Sequence, residues 1–254
     1  MQVVVGFDYV LVLEWLALDD KPTGTQLHAF LPSVGFDSEL VICQSWEDVQ
    51  RALKEAASAI GEKGVPVIHL ETHGSDPWIG AAENIGFGPE ADTGAAWTQV
   101  GALLAPLNVA AGFRLLFVSA ACWGSGVIAA IGSGEHPAPF ACAVGFRTAV
   151  GEGRVRDSMR ELYRSLKRGL TLEQSVASAQ RELVEGQEIR LEIAVELAIK
   201  ILRTTYYSPN ALRRAIAGPH RRRRRARGVW DSWFPPYLQE QNPVYRFENA
   251  KIGD

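Results

Sequence analysis

The chain has 254 residues, 47% of them hydrophobic and 22% charged, enough for one large α/β domain or a domain with an appendage. Its apolar runs are broken by charge or glycine before the roughly 20 residues a membrane span needs, and "MQVVVGFDYV" has no basic stretch ahead of its apolar one, so the expectation is a cytoplasmic protein without a membrane segment. The net charge of −3 conceals an asymmetry: nine arginines and no acid lie in residues 203–227, leaving −12 on the remainder, and the three cysteines (Cys43, Cys122, Cys142), with no Cys-x-x-Cys, argue against a disulfide framework or structural zinc.

Residues 10–18, "VLVLEWLAL", predict a first strand and residues 38–44, "SELVICQ", a shorter one. "SWEDVQRALKEAASAIG" begins with Ser45 and Asp48 at capping-box spacing, aligns Val49, Leu53, Ala56 and Ile60, and stops at Gly61: an amphipathic helix. "VPVIHLETHG" (65–74) starts as a nearly continuous β-branched run, the pattern of a strand covered on both faces, and a glycine-rich hairpin or irregular loop follows to Gly94. Helix 97–107 leads to "FRLLFVSAA" (113–121), another buried strand. A small-residue helix, "GVIAAIG", then precedes strand 140–147. Helices are predicted for 155–167, for the segment opening at Thr171 and Gln174 with a second capping-box pattern, and for 187–205, where Ile189, Ile193, Leu197 and Ile201 align. Strands alternating with helices predict βαβ units in a mainly parallel sheet. Residues 208–254 differ in kind: the run "RRRRRAR" (221–227) precedes a segment dense in aromatics, read as a C-terminal extension packed on the 1–207 domain or on a partner.

In a parallel α/β sheet the ligand site lies outside the carboxyl ends of the strands. His73 and Cys122 both follow such ends. If their strands are neighbours, an imidazole faces a thiol, the pairing that generates a thiolate nucleophile and returns its proton to a leaving amine. The amides of Gly74 and Cys122 are candidate donors to an oxyanion.

"HLETHGS" and "FVSAACWGSG", with 49 positions between His73 and Cys122, resemble the His-Gly and Ala-Cys motifs of caspase-like cysteine peptidases, the group of caspases, metacaspases and bacterial CHAT proteases. About 50 residues separate the two in caspases. The likeness spans roughly residues 5–185, including "MRELYRSLKRGLTLEQSVASAQREL", which is similar to the CHAT pattern of paired helices. The resemblance implies a three-layer caspase-like α/β fold, a mainly parallel central sheet flanked by helices. It also implies a cysteine endopeptidase with Cys122 as nucleophile, His73 as acid and base, Gly74 and Cys122 as the oxyanion hole, no cofactor and no metal. Partners would be a protein substrate and an activating or regulatory protein, as in bacterial conflict-related or antiviral defence systems. Ala120 departs from the family: caspases carry Gln two positions before the cysteine, and metacaspases Asp. The expected substrate-binding set is Asp19, Asp20, Ala120 and Arg147, with a lean toward basic substrates because Asp19 and Asp20 stand where caspases place an arginine.

The rival readings are a catalytically inactive scaffold acting through protein–protein contacts and a nucleic-acid-associated protein. The arginine run has no interleaved aromatics and no recognised nucleic-acid motif, which argues against the latter. His69 and His73, four apart in a strand, lie some 13 Å from each other, too far to chelate one ion, so His69 reads as a core or edge histidine.

Overall fold

The computed structural model describes residues 6–76, 78–81, 94–132, 137–206, 219–241 and 245–247. Six strands form the main sheet: β1 (Tyr9–Trp15), β2 (Ser38–Ile42), β3 (Pro66–Gly74), β6 (Leu116–Ala120), β7 (Cys142–Phe146) and β8 (Ile189–Ile193). Their order is β2-β1-β3-β6-β7-β8, parallel except for the antiparallel β7–β8 pair. Two short strands, β4 (Trp78–Gly80) and β5 (Gly94–Ala96), form an antiparallel ladder on the overhanging end of β3.

Side-chain alternation sorts the core into two layers. Leu11, Leu13, Ile68, Leu70, Leu115, Phe117 and Ala143 face the helices α2 (Trp46–Lys63), α3 (Trp97–Ala110), α4 (Ala129–Gly132) and α7 (Ala194–Tyr206). Val10, Val12, Val67, Leu116, Val118, Cys142 and Val144 face α1 (Thr23–Phe30), α5 (Glu152–Lys167) and α6 (Leu172–Gln180). β1, β6 and β7 are buried along their whole length, as their nearly continuous apolar sequences require; Glu14 and Ser119 are the polar residues among them. The result is a three-layer α/β fold with a mainly parallel sheet, consistent with a caspase-like fold. Among the described residues no helix is long and apolar enough to cross a membrane.

Both capping boxes form: Ser45 accepts from the Asp48 amide, and Thr171 from that of Gln174. The helix predicted over 187–205 is corrected. Its first turn is strand β8, because "IRLEI" also carries the two-residue alternation of a strand and finds an open edge on β7; α7 begins only at Ala194. The arginine run is helical. It lies in α8 (Pro219–Trp233), where Arg223, Arg224, Arg225 and Arg227 are exposed while Ala226, Trp230 and Trp233 are buried. Helix α9 (Pro236–Gln241) follows. Trp230, Phe234, Tyr245 and Phe247 join the same core as Phe113 and Phe140, and the Tyr245 hydroxyl donates to the Phe113 carbonyl at 2.6 Å.

Candidate active site

The register places His73 beside Cys122. Glu71 on β3 is paired with Ala120, the last residue of β6; His73 lies two residues further along β3, on the same face as Glu71, and Cys122 lies two residues past the end of β6. β3 overruns the sheet so that His73 and Gly74 pair with Gly80 and Ile79 of β4. β6 instead ends at Ala120 and turns sharply. In that turn Gly124 N–H donates to the Ala121 carbonyl, Trp123 adopts a left-handed φ of 58°, and a Cβ on Gly124 would lie 2.5 Å from Ser119 Oγ. Gly74 is required for a similar reason: a Cβ there would sit 2.0 Å from the Cys122 carbonyl oxygen. The two residues expected to supply the oxyanion donors are thus in backbone contact.

His73 and Cys122 line one cleft of about 540 Å³ with Asp20, Lys21, Thr23, Glu71, Ala120 and the segment 150–155, at the carboxyl ends of β1, β3 and β6. The third polar member comes from the turn after β1. Asp20 Oδ2 accepts from His73 Nε2 at 2.9 Å and from the Ala17 amide at 2.9 Å. A carboxylate only accepts, so Nε2 carries the proton and Nδ1 is left as the basic nitrogen. The Cys122 sulfur accepts from the Val150 amide at 3.3 Å and contacts the Val150 carbonyl at 3.6 Å. Val150 immediately precedes Gly151, the N-cap of the 16-residue helix α5, so a negatively charged sulfur would sit at the positive end of that helix.

Of the substrate-binding residues expected from sequence, Asp20 and Ala120 line the cleft, with Asp20 engaged by the histidine. Asp19 is exposed and outside the lining; Arg147 is exposed, outside it too, and pairs with Glu188 at 3.7 Å. Cys43 and Cys142 are buried, and loss of hydration pushes both thiols up to about 12, with Asp48 adding to the effect on Cys43 and Glu173 to that on Cys142. Cys122 is the partly exposed cysteine.

Sequence reasoning missed Glu71. This carboxylate is 2% exposed; it accepts from Thr23 Oγ1 at 2.8 Å and from His69 Nε2 at 2.9 Å. His69, fully buried, has Tyr163 OH at 3.0 Å from Nδ1, so in the neutral ring the phenol donates to that nitrogen. Burial, reinforced by the Glu71 charge, pushes the Tyr163 phenol well up and keeps it a donor. The available signal was a glutamate two residues from a histidine on either side within a buried strand. No family model matches the chain, and no curated protein matches its sequence.

Proposed function

We propose that the protein is a cysteine endopeptidase of the caspase-like type, hydrolysing peptide bonds in protein substrates with Cys122 as nucleophile and His73 as acid and base. The supporting observation is the convergence, in one cleft beyond the strand ends, of a partly exposed thiol and an imidazole whose tautomer Asp20 fixes. The thiol proton passes to His73 Nδ1, and the sulfur attacks the scissile carbonyl. The oxyanion is met by the Gly74 and Cys122 amides. The imidazolium then protonates the departing amine, leaving a thioester that water hydrolyses while His73 takes the water's proton. The resemblance adds the biological setting: a regulated bacterial protease of the CHAT type, acting in a defence or cell-death system and released by a separate activating protein.

Incubation with a mixed peptide library, with products read by mass spectrometry, tests the reading. Cleavage that disappears in Cys122→Ala and in His73→Ala supports it; cleavage that survives in a pure Cys122→Ala sample overturns the assignment of the nucleophile.

A second reading, a catalytically silent scaffold on the same fold, draws on the present contact of the Cys122 sulfur with Val150. A thiol locked there would resist alkylation in the native protein, whereas the peptidase reading requires it to react.

A further inference from the structure

The cleft that holds His73 and Cys122 also contains a carboxylate with no lysine or arginine partner among the described residues, set at a defined depth beneath them. Glu71 and His73 alternate on β3 and share a face, so Glu71 lies about 6.6 Å further into the cleft at roughly 3.3 Å per residue. Ala120, its neighbour on β6, is too small to fill the space between them.

We propose that Glu71 selects a lysine or arginine side chain on the amino-terminal side of the scissile bond; this rests on the peptidase reading of Cys122 and His73. A substrate held with its carbonyl at Cys122 sends that side chain down the cleft. The four-carbon stem of lysine, or the three-carbon stem and guanidinium of arginine, spans such a depth. Asp and Asn are too short for it.

The remaining charges of the lining leave Glu71 as the charge to be matched. Lys21 is committed to Glu152 at 2.7 Å, Arg154 donates to the Glu182 carbonyl at 3.1 Å, Asp157 is held by Arg156 at 2.9 Å, and Asp20 serves His73. Glu71 receives one hydrogen bond on each oxygen, from Thr23 and from His69. A carboxylate offers about four lone-pair sites, so two remain to accept a guanidinium or ammonium. The start of α5 works the other way, favouring an anion, but it acts at the sulfur end of the cleft through Val150 and carries Glu152 in its first turn.

The test compares coumarin amides of one acetylated peptide ending in arginine, lysine, citrulline, leucine or aspartate. Citrulline keeps the shape of arginine without its charge, so the comparison requires no change to the protein. Arginine and lysine are expected to exceed citrulline by at least about 100-fold in kcat/KM, as for a site built around a buried polar partner. In Glu71→Gln, which retains the side-chain volume, the arginine-to-citrulline ratio is expected to collapse toward unity. A ratio within about threefold of unity in the native protein, or a preference for aspartate, overturns the proposal. If no peptide is cleaved, the peptidase reading fails while the pocket is still decided by calorimetry of acetyl-arginine methylamide and its citrulline counterpart with Cys122→Ala and Cys122→Ala/Glu71→Gln. Arginine binding that depends on Glu71 supports the pocket, and equal or absent binding overturns it.

Discussion

The Asp20 carboxylate and the His73 ring meet at 2.9 Å although 53 residues separate them, because β1 and β3 are adjacent parallel strands whose carboxyl ends finish side by side. On the peptidase reading, one loop therefore orients the base that the neighbouring strand presents. The second bond to Asp20 Oδ2, from the Ala17 amide, ties the carboxylate to its own turn, so its position does not depend on the histidine alone. On the peptidase reading Asp20 is a positioning residue, acting through His73.

Asp20→Asn retains the size of the side chain but loses its charge, and its amide can present a donor where His73 already donates. The expected result is a fall in kcat of between about tenfold and 10⁴-fold, the upper figure being that for a catalytic histidine driven into the wrong tautomer, with KM little changed. A loss confined to kcat with KM kept is a readout that a purely structural role would not give. An unchanged kcat would show that Asp20 does not orient the base.

The three thiols should separate by reactivity. With Cys43 and Cys142 pushed up to about 12, the thiolate fraction of each at neutral pH is of order 10⁻⁵, against a few per cent for an ordinary exposed cysteine. Iodoacetamide at pH 7.5 followed by peptide mapping should modify Cys122 first; faster labelling of Cys43 or Cys142 would remove Cys122 from the site. The same shift carries a stability signature. Below about pH 9 folded and unfolded states both keep the proton, whereas between 9 and 12 only the folded state does, so stability falls as pH rises through that window. The slope should be at most about 1.4 kcal/mol per pH unit for each thiol, and denaturant titrations of Cys142→Ala should show a shallower one.

Gly74→Ala tests the contact between the strand ends. A methyl group 2.0 Å from the Cys122 carbonyl oxygen cannot be accommodated by a rotamer change, because the obstructing atom belongs to the backbone. The turn carrying Cys122 must move. A stability loss of about 1–3 kcal/mol is expected by denaturant titration, together with a larger proportional loss of activity. Full activity in this variant would mean that the Cys122 turn has room the structure denies it.

What the sequence disclosed depended on how local each signal was. Strands β3 and β6 were legible because both are mainly apolar runs, and His73 and Cys122 because each follows such a run beside small residues. Strand β8 was not: Ile189 and Ile193 are four apart, a spacing that fits a helix face as well as one face of a strand, and only the free edge of β7 decides between them. The role of Asp20 was hidden for a different reason. Its partner is set by sheet topology, and two adjacent aspartates in a loop give no indication of which one points at the base. Glu71 was hidden inside a segment recognised chiefly for its ends.

The C-terminal helix offers a test of which of its residues belong to the fold. Trp230 is fully buried, donates from Nε1 to the Tyr245 carbonyl at 2.7 Å and packs on Phe234 with ring centroids 4.8 Å apart, so Trp230→Ala should cost about 3–5 kcal/mol. The arginines of the same helix differ among themselves. Arg223 and Arg227 both lie over the Phe247 ring, 5.8 and 5.9 Å from its centroid, and Arg227 also reaches Asp231 at 3.7 Å. Replacing either with glutamine should cost about 0.5–1 kcal/mol, the size of an exposed cation–π contact. Arg224 and Arg225 are exposed, and their glutamine variants should stay within about 0.5 kcal/mol of the native protein. If Arg224→Gln/Arg225→Gln leaves the denaturation midpoint in place but alters activation or partner binding, the outer face of α8 is a docking element. A large fall in the midpoint would instead assign these two arginines to the fold and remove any regulatory role for the run.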